Sequence, residues 1–374
     1  MNLNFHYFTV KALAFEAGFE ENEAQFIANF SQFIDDYDKE RDLCCKKEEV
    51  PDFAKYLISG EIFGYAFVSP VTTGFVSWFD MVLLMLKARQ KWIVTPFHFI
   101  PVKCIKDLPN KDDWRVQVAR MDTPSLITGL LANARTQFLS GDAANRHKNL
   151  LRIAMLLHTF ADTYAHQSFM GYEHWSNETC LSSVTDDCTQ ENITDKYEPK
   201  EYKLLPHVGH VNLNSAPDES GVRYQWYAKK AADKEEYALT GRDNSLTYID
   251  ASKEILNYLR SCLGKPPIDE KDWRQLQLRI HKGSLISTNP IDITALEDHW
   301  TAIFPETTFH YSSNEVLKTL ITGQKEIPHP KKENEALTVS ALTNDFFLYN
   351  VLADETRVAV NGERKAAEIA VADA

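Results

Sequence analysis

His158, Asp162 and His166 stand four residues apart in the run MLLHTFADTYAHQSF. At 3.6 residues per turn this spacing sets all three on one slowly drifting stripe of a helix. Leu151, Met155 and Phe169 continue that stripe, so the polar triplet is placed among side chains that favour burial. An unpaired imidazole or carboxylate there costs several kcal/mol. A divalent cation held by neutral imidazole nitrogens and an Asp carboxylate removes the cost, because every ligand gains a partner and the negative charge is neutralised. For the triplet alone, a buried His/Asp hydrogen-bond network without metal is the competing reading.

Elsewhere the periodicity is helical. Residues from Asn4 to Gly18 place His6 with Val10, Leu13 and Ala17 on one face. A second helix from about Glu21 to Asp38 carries Phe26, Ile27, Phe30, Phe33 and Ile34 inward, with Asp35 at the edge of the apolar face and Asp36 nearer the polar side. Pro96 and Pro101 bracket His98 in a rigid apolar turn. The triplet's own helix is expected to run from Asp142, an N-cap, to about Gly171. Residues 172 to 245 lose periodicity and include His207, His210, Asp218 and Glu219; loops of that length usually serve a function. Helices resume in SLTYIDASKEILNYLRSCLG and from Asp269 to Ile280. With almost no strand-like alternation, the expected fold is all-α with long loops: a metal-binding helical domain over residues 1–325, then a proline-punctuated linker, one helix and a tail over 326–374. The C-terminal extension is open to a protein partner.

The chain is 374 residues long with a formal net charge of -13, which argues against a duplex nucleic-acid surface, since that rests on clustered Lys and Arg. A small or single-stranded phosphate substrate held by metal stays open. The six cysteines form no CxxC motif, and the first residues, MNLNFHYFTVKALAF, lack the basic start and apolar core of a signal peptide. The expectation is a cytoplasmic protein with free thiols, or one exported without a Sec signal peptide. The most apolar stretch, Ile62 to Leu86, is broken by Pro70, Gly74 and Asp80 and reads as buried helix and loop rather than a membrane span.

His6, Asp35, His98, His158, Asp162, His166, His210 and Asp218 thus form a chain-wide series of ligand-type residues, mostly in apolar or turn settings. The order His, Asp, His, HxxxDxxxH, His and an acid resembles that of the zinc-dependent phospholipase C and single-strand nuclease superfamily, an all-helical fold around a multi-zinc cluster. More closely, FHYFTVKALAFEAGF, SQFIDD, PFHFIP, LLHTFADTYAHQSFMGYEH and GHVNLNSAPD resemble an uncharacterised bacterial domain family carrying such a site, over roughly residues 5 to 260. The resemblance implies that Asp35, His98, His158 and Asp162 bind a central metal, with Asp162 shared with a second metal near His6, and that His166, His210 and Asp218 form a further site. Two features depart from it. The secreted phospholipases chelate with a processed N-terminal Trp, where this chain offers Asn2 or Asn4. The acidic spacing also differs, which keeps His207 and Glu219 as alternative ligands, and Asp36 beside Asp35 is a further candidate ligand.

The function expected is metal-dependent hydrolysis of a phosphoester, lipid or nucleotide, by two or three Zn ions, with Asp35 as base or metal-orienting carboxylate. An HD-type phosphohydrolase and a di-iron oxygenase are disfavoured: no His-Asp doublet occurs, and the Glu-x-x-His of Glu326 and His329 contains Pro328. A non-catalytic, metal-stabilised binding or effector protein is the remaining alternative.

Overall fold

A computed structural model describes residues 1–74, 85–197, 206–286, 292–332 and 334–365. The chain opens with a π-helical turn, Asn4–Thr9, that runs directly into α1 (Val10–Ala17) and stops at Gly18 with φ 101°. That left-handed conformation suits glycine, which has no Cβ to clash. In α2 (Glu21–Asp36) the stripe Ile27, Phe30, Phe33 and Ile34 is buried, as its spacing requires. Next come α3 (Leu126–Ser140) and α4 (Ala143–Ala165), the second capped where the Asp142 carboxylate accepts the N–H of Asn145. The helices α5 (Asn244–Cys262), α6 (Glu270–Ser284), α7 (Ile293–Ile303), α8 (Ser313–Leu320) and α9 (Asn344–Asn361) follow.

The helix of the triplet ends at Ala165, short of the expected Gly171. The reason is local: Ser168 and Phe169 leave the helix to pair with Val116 through Ser168 N–H to Val116 O at 2.9 Å and Val116 N–H to Phe169 O at 2.8 Å. His166 therefore sits just past the last turn, with φ -98° and ψ 10°.

The fold is mixed α/β, which corrects the all-α expectation. One sheet joins β1 (Leu43–Lys46), β2 (Ile58–Ile62), β3 (Tyr65–Val68), β7 (Ile321–Pro328) and β8 (Ala336–Leu342) in the order β2-β3-β1-β8-β7. A second joins β4 (Thr179–Asp186), β5 (Val222–Lys229) and β6 (Tyr237–Asp243) as an antiparallel meander. Most of these strands are too short or too polar to announce themselves. The exception is β5, where Val222, Tyr224 and Trp226 are buried and Arg223, Gln225 and Tyr227 are exposed, the period-2 alternation of a half-buried strand. The segment EIPHPKKENE, expected to be a linker, begins inside β7, which ends at Pro328, and β8 starts directly after it at Ala336 and pairs in parallel with β1 through Cys44 and Val339.

One core runs from Phe5 in the first turn to Val360 in α9, with Leu151, Leu157 and Phe160 of α4 inside it. The C-terminal helix shares this core: the Tyr349 ring lies 4.8 Å from that of Tyr37 and 5.7 Å from that of Phe33. A smaller core, including Phe99, Phe169, Val208, Tyr224 and Trp226, backs the second sheet. Of the apolar stretch Ile62–Leu86, residues 75–84 lie outside the described residues. Among the described residues no helix is long and apolar enough to cross a membrane.

Candidate metal centre

The helix α4 points the buried His158 and Asp162 to where α2 delivers the partly exposed Asp35 and the turn after Pro96 delivers the buried His98. His98 Nδ1 and His158 Nε2 are 3.2 Å apart. Each lies 3.3 Å from Asp162 Oδ2 and 3.6 Å from Asp35 Oδ1. In a tetrahedral site with metal–ligand bonds of 2.0–2.2 Å, ligand atoms are about 3.4 Å from one another. His98, His158 and Asp162 therefore have the separations of a single coordination shell, with Asp35 Oδ1 at a similar distance from both imidazoles.

The orientation of His98 fits as well. Its Nε2 is 2.9 Å from the carbonyl oxygen of Thr73, so that nitrogen donates and Nδ1 turns a lone pair towards the carboxylates. A nitrogen lone pair and two carboxylate oxygens facing one another repel unless a cation or a proton lies between them. His6 completes this side: Nε2 is 3.1 Å from Asp162 Oδ1, and its ring stacks on that of His158 at 3.8 Å. His6 Nδ1 and His158 Nδ1 are buried and have no hydrogen-bond partner among the described residues.

A second group lies beside the first. His166 Nδ1 is 2.5 Å from the carbonyl oxygen of His98, which leaves Nε2 facing Asp218 Oδ1 at 3.0 Å. His210 Nδ1 is 3.0 Å from the carbonyl oxygen of Asn214, and its Nε2 faces Asp218 Oδ2 at 3.3 Å. Here too a backbone carbonyl holds one ring nitrogen and aims the other. Asp218 is fixed from α5, where Asn244 Nδ2 donates to the carbonyls of Ala216 at 2.8 Å and Glu219 at 2.7 Å, and the Tyr248 hydroxyl donates to that of Pro217 at 2.7 Å. Between the two groups sits the amino group of Met1, 2.5 Å from Asp162 Oδ1 and 3.2 Å from Asp218 Oδ1.

Both groups form the floor of a cleft of about 250 Å³ with apolar walls of Val94, Phe99, Val208 and Val211. Asp35 and Asp218 retain 30% and 20% exposure, so the floor is reachable by solvent, while His158 and Asp162 at 0% and 1% are not. Asp35, Asp162 and Asp218 all line the cleft, and among the described residues no Lys or Arg does. The local fields are correspondingly strong. Burial opposes ionisation of Asp162, but the Met1 amine, His166, His158 and His6 hold its carboxyl well below the ordinary range. Asp218 is held down in the same way, by His210 and the Met1 amine against burial. Burial, His158 and the Met1 amine push His6 down to about 3, so it is a neutral, ligand-type imidazole.

Of the residues expected in the site, the structure brings together His6, Asp35, His98, His158, Asp162, His166, His210 and Asp218. Three others it does not. His207 Nδ1 lies 3.0 Å from the Asn212 amide, and Glu219 accepts the Tyr197 hydroxyl at 2.7 Å and the Ser215 hydroxyl at 2.8 Å. Asp36 turns away from Asp35 and accepts the hydroxyl of Tyr311. Thr73, Asn244, Tyr248 and the Met1 amine carry no sequence pattern that announces a role: Thr73 acts through its backbone carbonyl, Met1 through its amino group, and Asn244 and Tyr248 through side chains that bind backbone carbonyls.

Burial, reinforced by Asp35 and opposed by the Tyr311 hydroxyl, pushes the Asp36 carboxyl up from 3.8 to about 6. The folded state then binds this proton more tightly than the unfolded chain, so the group lowers stability as pH rises from 3.8 to about 6. Urea unfolding of metal-free protein at the two ends of that interval should show Asp36→Asn losing less stability than the wild type. An equal loss would contradict the assignment.

The model of a protein family described as a family of unknown function (DUF6765) matches residues 1–363. No curated protein and no solved structure matches the chain.

Proposed function

The chain belongs to the DUF6765 family, and from that premise we propose that it is a metal-dependent hydrolase of phosphoester bonds, with a small phosphoester or a lipid as substrate. The observation that carries the reading is the placing of two His/carboxylate groups on the floor of an open, apolar-walled cleft. Asp35, His98, His158 and Asp162 would hold one divalent ion, and His166, His210 and Asp218 another. Zn suits the mixture of imidazole and carboxylate donors. Bound there, such ions polarise a phosphoryl oxygen and bring the pKa of water to about 7.

The chain's own side chains do the rest. Val94, Phe99, Val208 and Val211 exclude bulk water from one side of the cleft and pack against the organic part of the ester. Asp35 Oδ2, which accepts the Gln32 amide at 3.3 Å, is the oxygen free to take the proton of an attacking water. The water oxygen bonds to phosphorus as the ester P–O bond breaks, and the leaving alkoxide takes up the proton that Asp35 received, which restores the carboxylate. The carbonyls of Thr73, His98 and Asn214 keep the three imidazoles turned with one nitrogen towards the ligand groups, where a bound ion would occupy its lone pair.

One observation favours a second reading: the first group offers four protein ligand atoms, the number that fills a structural metal site. Protein loaded with Zn and assayed on bis-p-nitrophenyl phosphate, a short-chain phospholipid and single-stranded nucleic acid separates the two. Turnover of at least one, lost on chelation and restored by Zn, is expected. Metal retention with turnover of none would replace the hydrolase by a metal-stabilised binding protein.

A further inference from the structure

Three polar side chains of the helix α9 end on one short segment, Val71–Gly74. We propose that α9 is the positioning element of the first ligand group: it holds this strap so that the Thr73 carbonyl fixes His98 with Nδ1 towards Asp35, His158 and Asp162. The proposal rests on reading that group as a metal site.

The strap hangs between two helices. From the α2 side, the N–H groups of Thr73 and Gly74 both donate to the carbonyl of Tyr37 at 3.1 Å, and the Thr73 hydroxyl donates to that of Ile34 at 2.8 Å. From α9, Asn350 Oδ1 accepts the N–H of Val71 at 2.6 Å, Arg357 Nη2 donates to the carbonyl of Thr72 at 2.9 Å, and the Tyr349 hydroxyl lies 2.8 Å from that of Thr73. Tyr349, Asn350 and Thr73 are all 0% exposed. The strap in turn touches two ligands of the group. The carbonyl of Thr73 meets His98 Nε2 at 2.9 Å, and a Cβ added at Gly74 would overlap the carbonyl of Asp35.

Burial alone does not account for this choice of side chains. Apolar residues would pack behind the strap without the desolvation cost of a phenol, an amide and a guanidinium. What the polar groups add is direction, since each binds a group whose position sets the rotation of the Thr73 peptide. A carbonyl that orients a ligating imidazole and fixes its tautomer contributes typically 10–100-fold in metal affinity.

The test is the Zn(II) affinity of the tightest equivalent, by competition with a chromophoric chelator, together with the visible spectrum of the Co(II)-loaded protein. Tyr349→Phe with Asn350→Leu removes the hydroxyl and the amide while keeping bulk. It should weaken that equivalent by about 10-fold or more and change the Co(II) spectrum. Val360→Ala, about 15 Å along the same helix from Asn350, is the structural comparison, and should lower the melting temperature without moving either readout. Should the double variant not fold, Tyr349→Phe alone should show a smaller loss in the same direction. Unchanged affinity and spectrum alongside a lowered melting temperature would overturn the positioning role while leaving the metal centre intact. Failure of the wild type to bind Zn or Co would overturn the metal centre itself, and this proposal with it, before any variant is compared.

Discussion

Replacing His158 or Asp162 by Ala should empty the first ligand group of metal and lower the melting temperature by roughly 10 °C. Purified wild type, kept from chelators, should carry about two to three equivalents of Zn or a similar ion. An ion present at 1,000 times its Kd stabilises the folded state by about 4 kcal/mol, and each kcal/mol moves the melting temperature of a sizeable domain by about 2–4 °C. The two residues are the most consequential because both are essentially unexposed and Asp162 lies within reach of His6, His98, His158, His166 and the Met1 amine. Leu157→Ala, one residue away on α4 and equally buried, separates metal loss from simple cavity formation. It should melt lower by a comparable amount yet keep its metal. The diagnostic result is the effect of chelator, which should lower the melting temperature of the wild type and of Leu157→Ala by more than that of His158→Ala or Asp162→Ala. Less than half an equivalent of metal in the wild type would sink the assignment.

Asp35→Asn should abolish phosphodiester hydrolysis while most of the metal remains. The amide keeps the shape of the carboxylate but cannot take a proton from water, and removing one general base typically costs 10²–10⁴-fold in rate. The second ligand group, built from His166, His210 and Asp218, does not involve Asp35, so metal should persist there. Asp36→Asn provides the contrast: one residue on, the side chain has turned about 100° around the helix. It meets the Tyr311 hydroxyl instead of the cleft. Its turnover should stay within about threefold of the wild type, a change of under 1 kcal/mol in barrier. Loss of activity in Asp36→Asn with retention in Asp35→Asn would reverse the roles given to these neighbours.

Helical periodicity made the ligand-type residues legible because a stripe is a local property. His158, Asp162 and His166 share a face of one helix whatever surrounds it, and the apolar neighbours of His6 and His98 imply burial before any partner is known. The choice between His207 and His210, or between Asp218 and Glu219, was not legible, because it depends on how a loop closes under Asn244 and Tyr248 of a helix farther along the chain. The sheets were hidden for a related reason. A four-residue strand such as Leu43–Lys46 has too few positions to display a period of two, and its meaning comes from partners at Tyr65–Val68 and, nearly three hundred residues on, Val339. The supports of the centre lie deepest of all. The carbonyls of Thr73, His98 and Asn214 aim three imidazoles, and every residue type except proline carries the same backbone donor and acceptor, so no residue pattern marks them. Local periodicity by itself determined which side chains are buried together on each helix; only the tertiary structure decided which of them meet, because meeting depends on contacts between segments far apart in the chain.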